Sequence, residues 1–223
     1  MRRAARKALG IAAEATLICA VASNNVRKDL ARTLAAFAEY RALHDPSAVL
    51  YVHTRPFSYG IDLNAAAAAL GLIGGQHLFF PASYHPLSGL LDAAMNELYN
   101  ASDVYFSTTL GEGWGLPVTE AMAAGLPVVA PRHSSLAELG AGGRAVLFEC
   151  EERIWVDNSG YRPFALMGKV VGALHRALSL SEQERAAMVG LALEFAHRLD
   201  WSLVAPRWVS LIDEVTQSKT PHR

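Results

Sequence analysis

Short apolar runs alternate along the chain with longer stretches whose apolar positions recur at helical spacing. Strand candidates are residues 16–22 (TLICAVA), 49–54 (VLYVHT), 77–80, 104–107, 127–130 and 145–149. Between them lie helix candidates. Residues 27–43 place Leu30, Leu34 and Phe37 on one face, and further helices are expected over 63–70, 90–99 and 115–124. Three helical segments follow, about 164–178, 181–199 and 201–215, with Pro206 either kinking the last or marking its true start. Repetition of strand and helix implies parallel pairing with right-handed crossovers. The strands are apolar throughout rather than alternating, which fits burial on both faces. The fold class expected is therefore α/β, a doubly wound parallel Rossmann-like sheet of about six strands with helices on both faces and a helical C-terminal tail.

Ligands of such sheets bind beyond the carboxyl ends of the strands. The loops to inspect are thus 23–27, 55–60, 81–89, 108–115 and 131–135. No internal repeat or linker is visible, so residues 1–223 read as one domain, with a core over about 10–180 and C-terminal helices over about 181–216.

Composition narrows the classes. Of 223 residues 52% are hydrophobic and 18% charged, enough for a sizeable core and too few charges for disorder. A net charge of −1 excludes the basic balance of a nucleic-acid binder. Arg2, Arg3, Arg6 and Lys7 cluster at the start and read as a solvated helix face. Cys19 and Cys150 form neither a disulfide framework nor a metal pattern, and Cys19 reads as a buried small hydrophobe in a reducing, cytoplasmic setting. No apolar run approaches the roughly 20 residues that span a bilayer, so any membrane association is expected to be peripheral.

The loop after the fourth strand candidate carries the chemistry. It runs Leu110-Gly-Glu-Gly-Trp-Gly-Leu-Pro-Val-Thr-Glu. Glycines let backbone approach a ligand closely, and Pro117 suits the first turn of a helix. The amides around Gly113, Trp114, Gly115 and Leu116 then face outward at a helix N-terminus, which favours anions such as a diphosphate. Glu112 and Glu120 bracket the loop with seven residues between them. A carboxylate repels phosphate but accepts hydrogen bonds from ribose hydroxyls. Taken singly, Glu112 would read as a surface loop charge and Glu120 as a solvated helix residue; the whole string argues against that.

The whole stretch 103–131, with its Glu-Gly-Trp-Gly-Leu-Pro-Val-Thr-Glu-Ala core and Ala-Gly-Leu-Pro-Val-Val sequel, resembles the signature of family 4 glycosyltransferases. The resemblance extends to Asn24-Asn-Val-Arg-Lys-Asp, to Leu98-Tyr-Asn-Ala-Ser-Asp103, to Ser135 with Glu138 and to residues 201–215. It implies one half of a GT-B fold that binds a nucleotide-diphosphate sugar and transfers the glycosyl group with retention. By position, Glu120 matches the residue that grips the ribose, and Glu112 the one near the donor sugar. Lys28, with Arg27 beside it, matches the lysine that neutralises the diphosphate. Gly113, Trp114, Gly115 and Leu116 match the segment facing phosphates and sugar, and Asn24, Thr109 and Tyr84 join the donor-binding candidates. The arginine that many members place five positions before the lysine is Ser23 here. No Asp-x-Asp occurs, so no metal-held diphosphate and no cofactor are expected.

A GT-B enzyme has two such domains. The acceptor-binding half is expected to lie outside this chain, on a separate polypeptide or lost by truncation, and the acceptor is not specified. Two other readings share the fold: a module that holds nucleotide sugar without transferring it, and a GT-B-type sugar-nucleotide epimerase. His53 reads as a packed or hydrogen-bonded structural residue. Tyr84 and His85 read as either base-stacking or loop-anchoring. Trp155, Trp201 and Trp208 read as packing residues.

Overall fold

The computed structural model describes residues 2–57, 60–82, 84, 90–156 and 160–217; His85 lies outside them. Helix α1 (Arg2–Ala8) precedes β1 (Leu17–Val21), α2 (Leu30–Leu43), β2 (Val49–His53), α3 (Leu63–Ala69) and β3 (Leu78–Phe79). The second half runs α4 (Asp92–Ala101), β4 (Val104–Phe106), α5 (Leu116–Ala123), β5 (Val128–Pro131), α6 (Ser134–Leu139) and β6 (Val146–Phe148). Then come β7 (Glu152–Val156), β8 (Gly160–Phe164), α7 (Met167–Leu178), α8 (Glu182–His197) and α9 (Trp201–Gln217).

The six expected strands form one parallel sheet in the order β3-β2-β1-β4-β5-β6. Both faces are covered, as the unbroken apolar runs require. Ile18, Ala20, Leu50, Val52, Val104, Phe106 and Val129 point to one side, beneath α2, α3 and α7. Leu17, Cys19, Val49, Tyr51, Tyr105, Val128 and Ala130 point to the other, beneath α4, α5, α6 and α8. This strand order reverses direction between β1 and β4, and a doubly wound sheet opens its ligand crevice at that reversal. The loops after β1 and β4 are the ones that carry Arg27, Lys28 and Glu112.

Several local expectations are corrected. The helix expected over 27–43 is broken at Asp29, whose φ of 48° is left-handed; residues 26–28 form a separate 3-10 turn. The segment expected to begin a helix at Phe164 instead completes an antiparallel hairpin, β7–β8, with Val156 paired to Gly160. In the sequence its signal is the Asp-Asn-Ser-Gly composition at 157–160, between short apolar runs. It escapes a search for periodicity because β7 is exposed except at Val156, so burial imposes no alternation. The N-terminal cluster is not wholly solvated. Arg6 is buried and donates to the carbonyls of Ala101, Ala13 and Ala15 at 2.9, 2.6 and 2.7 Å, and to Asp103 at 2.7 Å. Asp103 in turn accepts from the Leu17 amide, which ties α1 to the starts of β1 and β4. The tryptophans are not packing residues: Trp155, Trp201 and Trp208 are 60%, 74% and 59% exposed. The reason for the last two is that α9, continuous through Pro206, buries no residue in this chain.

Cys19 and Cys150 are free thiols, and burial pushes the Cys19 thiol up to about 12. Among the described residues no helix is long and apolar enough to cross a membrane.

Candidate functional site

The loop after β1 is built around side chains that satisfy backbone. Asn24 is buried; its amide donates to the carbonyls of Ile61 at 2.7 Å, Pro56 at 3.2 Å and Arg55 at 3.4 Å, and accepts from the Ile61 amide. Gly60 makes this approach feasible, since a Cβ there would stand 2.2 Å from the Asn24 oxygen. Asn25 caps the 3-10 turn by accepting from the Lys28 amide. The left-handed Asp29 is secured by Arg32 at 2.8 Å and by the Thr108 hydroxyl, which donates to its carbonyl at 2.9 Å. That break in the helix turns Arg27 and Lys28 toward β4.

The two strand-end loops then zip together. The Leu110 amide and the Thr109 hydroxyl donate to the Arg27 carbonyl at 2.8 and 3.2 Å. Arg27 returns a guanidinium N–H to the Gly111 carbonyl. Glu112 closes the arrangement: one carboxylate oxygen meets Arg27 Nη1 at 3.1 Å and the other meets Lys28 Nζ. The Lys28 and Glu112 side chains are each 13% exposed, so this pair is largely screened from water. Asn24 and Thr109 therefore use their side chains on backbone, whereas Arg27, Lys28 and Glu112 converge as a charged cluster.

Gly115 starts α5 with φ of 100°, and a Cβ on it would lie 2.8 Å from a Leu136 methyl. Only glycine fits both demands. Pro117 follows in the first turn, and the leading amides of a helix have no intrahelical acceptor. Trp114 and Leu116 are 45% and 63% exposed beside them. From beneath, α6 braces the loop. Ser135 donates to the Trp114 carbonyl at 2.6 Å, and the Ser134 hydroxyl accepts from the Glu112 amide at 3.2 Å. The His133 ring bridges the Thr109 carbonyl at 3.0 Å and Ser134 Oγ at 3.2 Å. A carbonyl can only accept, so Nε2 carries the proton and Nδ1 accepts from Ser134. Burial lowers the His133 pKa, which keeps the ring in that neutral form. The sequence reading missed His133 and Ser134; neither stands at a spacing that signals chemistry.

Glu120, a turn further along α5, accepts from the Tyr99 hydroxyl at 2.7 Å. Burial and the neighbouring Glu120 carboxylate push the Tyr99 phenol far above its usual range, so it stays a donor. Glu120 stands where two grooves meet. One, of about 670 Å³, also holds Trp114, Leu116 and Trp201; the other, of about 410 Å³, holds Asp92, Asn96 and Tyr99. The cationic cluster lines neither groove. Tyr84 tilts over the buried His53, with ring centroids 5.6 Å apart. His53 is packed, its Nδ1 hydrogen-bonded to no described residue.

Residues 64–157 match the family model described as "Glycosyl transferases group 1". A phosphatidyl-myo-inositol mannosyltransferase of Mycolicibacterium smegmatis is 31% identical over 126 residues, covering 56% of this chain and 29% of that protein. Among solved structures, an α,α-trehalose-phosphate synthase (UDP-forming) from Burkholderia vietnamiensis superposes with a TM-score of 0.74 at 16% identity, over 98% of this chain and 47% of the other. Anabaena Alr3699/HepE, solved in complex with UDP-glucose, gives 0.72 at 19% identity, over 94% and 51%. The chain thus spans under a third of the curated relative and about half of these structures. Residues 64–157 are thus similar to group 1 glycosyltransferases, and the chain around them has the fold of one GT-B half domain.

Proposed function

We propose that this chain binds the nucleotide-diphosphate sugar of a retaining, metal-independent glycosyltransferase similar to family 4, and that transfer requires an acceptor-binding domain. The observation that carries this reading is the meeting of Arg27, Lys28 and Glu112 at the reversal between β1 and β4, beside the first turn of α5. In such a reaction the leaving group is a nucleoside diphosphate, and positive charge with fixed N–H dipoles stabilises the charge that develops on it. Arg27, Lys28 and the amides of Gly113, Trp114 and Leu116 would serve the diphosphate. Glu112 holds the cations in place without ligand and would meet the donor sugar once the diphosphate takes them over. Glu120, oriented by Tyr99, would accept from the ribose hydroxyls.

The test is a radiolabelled-donor assay on this 223-residue chain across UDP-, GDP- and ADP-sugars, with a broad acceptor panel, with and without a GT-B acceptor domain and with and without chelator. Orientation of the acceptor alone can account for roughly 7–11 kcal/mol of a barrier. Donor binding with only slow hydrolysis by the chain alone, chelator-resistant transfer once the acceptor domain is added, and retained anomeric configuration are expected. Rapid acceptor-dependent transfer by the chain alone would overturn the division of labour, and inversion would overturn the reaction class.

A further inference from the structure

We propose that Arg162, on strand β8 of the hairpin, is a third phosphate-binding cation of the donor site. The inference rests on the donor-site reading above and extends that site to an element outside the main sheet.

The hairpin is held at its base. Val156 and Ala165 are buried, the Arg32 guanidinium lies 3.7 Å from the Phe164 ring centroid, and Arg32 Nη1 donates to the Ala165 carbonyl at 2.8 Å. Arg32 is thereby occupied: its Nε meets Asp29 and its face meets Phe164. Arg162 is not. Its Nε is buried and hydrogen-bonded to no described residue, and no carboxylate among the described residues pairs with it. A guanidinium has five N–H donors in a rigid fork, and a buried orphan among them is costly.

The direction of the side chain supplies the ligand class. A Cβ built on Gly111 would lie 3.6 Å from Arg162 Nη1, so the guanidinium rests on the same glycine whose carbonyl takes the Arg27 guanidinium. Its charge also reaches His133, adding to burial in keeping that ring neutral. Among the described residues, three cations, Arg27, Lys28 and Arg162, approach Gly111 and Glu112 against the one carboxylate of Glu112; three minus one leaves a surplus of two positive charges. A diphosphate is the component of a nucleotide sugar that would neutralise such a surplus, and the guanidinium fork matches phosphate oxygens in pairs.

The experiment uses the whole chain and its Arg162→Gln and Arg162→Lys variants. Titration calorimetry measures UDP, GDP and ADP, the matching nucleosides, and inorganic pyrophosphate; thermal denaturation is followed without ligand. For the nucleoside diphosphate that the unaltered chain binds, Arg162→Gln is expected to lose about tenfold to a hundredfold in affinity. A comparable loss is expected for pyrophosphate, with the nucleoside unchanged. Arg162→Lys, which keeps the charge but not the fork, should recover part of the loss. Should Arg162→Gln fail to fold, the NMR signal of the Arg162 guanidinium in the unaltered chain decides: it must shift on adding pyrophosphate. Unchanged diphosphate affinity, equal losses for nucleoside and diphosphate, or an unmoved guanidinium signal would overturn the assignment while leaving a Lys28-dependent donor site intact. If the unaltered chain binds none of the three nucleoside diphosphates, the donor-site reading falls, and this inference with it.

Discussion

At the scale of single residues, the two glutamates divide the work that one carboxylate could not do. Glu112 is committed to Arg27 and Lys28, and Glu120 to the Tyr99 hydroxyl; under the proposed function the first would stand between diphosphate and donor sugar and the second would meet the ribose hydroxyls. Two substitutions separate these roles. Glu120→Ala removes acceptors for charge-assisted bonds of roughly 1.5–3 kcal/mol each, so nucleoside and nucleoside diphosphate should both bind about tenfold to a hundredfold more weakly. Lys28→Ala should weaken only the diphosphate, because an ammonium acts on phosphate charge. Titration calorimetry with the paired ligands reads both. Losses that do not split in this way would mean that one of the two residues is misassigned. Glu112 and Glu120 stood out in the sequence as part of a whole glycine-rich string, and Lys28 only through the family resemblance. Arg162 was not visible, since nothing local ties a residue near position 160 to a glycine near 110.

At the scale of elements, the glycine-rich loop before α5 depends on how its ends are held. Gly115 sets the entry to α5 at a φ of 100° against Leu136, while α6 carries the loop on Ser134 and Ser135. Gly115→Ala should therefore cost about 1–3 kcal/mol from the backbone conformation alone, with the clash against Leu136 added. A denaturant midpoint equal to that of the parent chain would contradict this. Element existence was legible wherever burial left an apolar run or a helical period, as in all six sheet strands. It was illegible in the hairpin, whose residues are held by pairing with each other and by contacts at its base. Helix α9 shows the opposite failure. Its apolar spacing was clear, yet Trp201 and Trp208 remain exposed because α9 buries none of its described residues.

For the whole molecule, the buried His53 and the half-buried His133 couple the fold to pH. Burial lowers the pKa of both His53 and His133 from 6.5 in the native state. The unfolded chain then binds protons that the native chain refuses, so stability is full above about pH 6.5 and falls as pH drops toward the native values. His133 also holds the glycine-rich loop through its neutral tautomer, and protonation at Nδ1 would break its bond from Ser134. Denaturation midpoints between about pH 7.5 and 5.5 should fall, and His133→Gln should flatten part of that slope. A His133→Gln profile parallel to that of the parent chain would show that His133 does not contribute.

The sequence by itself determined that strands buried on both faces alternate with helices. It also determined that a glycine-rich turn with two flanking glutamates follows the fourth strand. Both are properties of neighbouring residues, because burial writes a period into the chain and turns demand particular residue types. Tertiary structure alone decided which charges meet. Lys28 and Glu112 are separated by 84 positions, Arg6 and Asp103 by 97, and each pair exists only because β4 lies beside β1 in the sheet. An ion pair leaves no period behind it. It depends on strand order and on where a helix breaks, here at Asp29, and those follow from the packing of the whole chain.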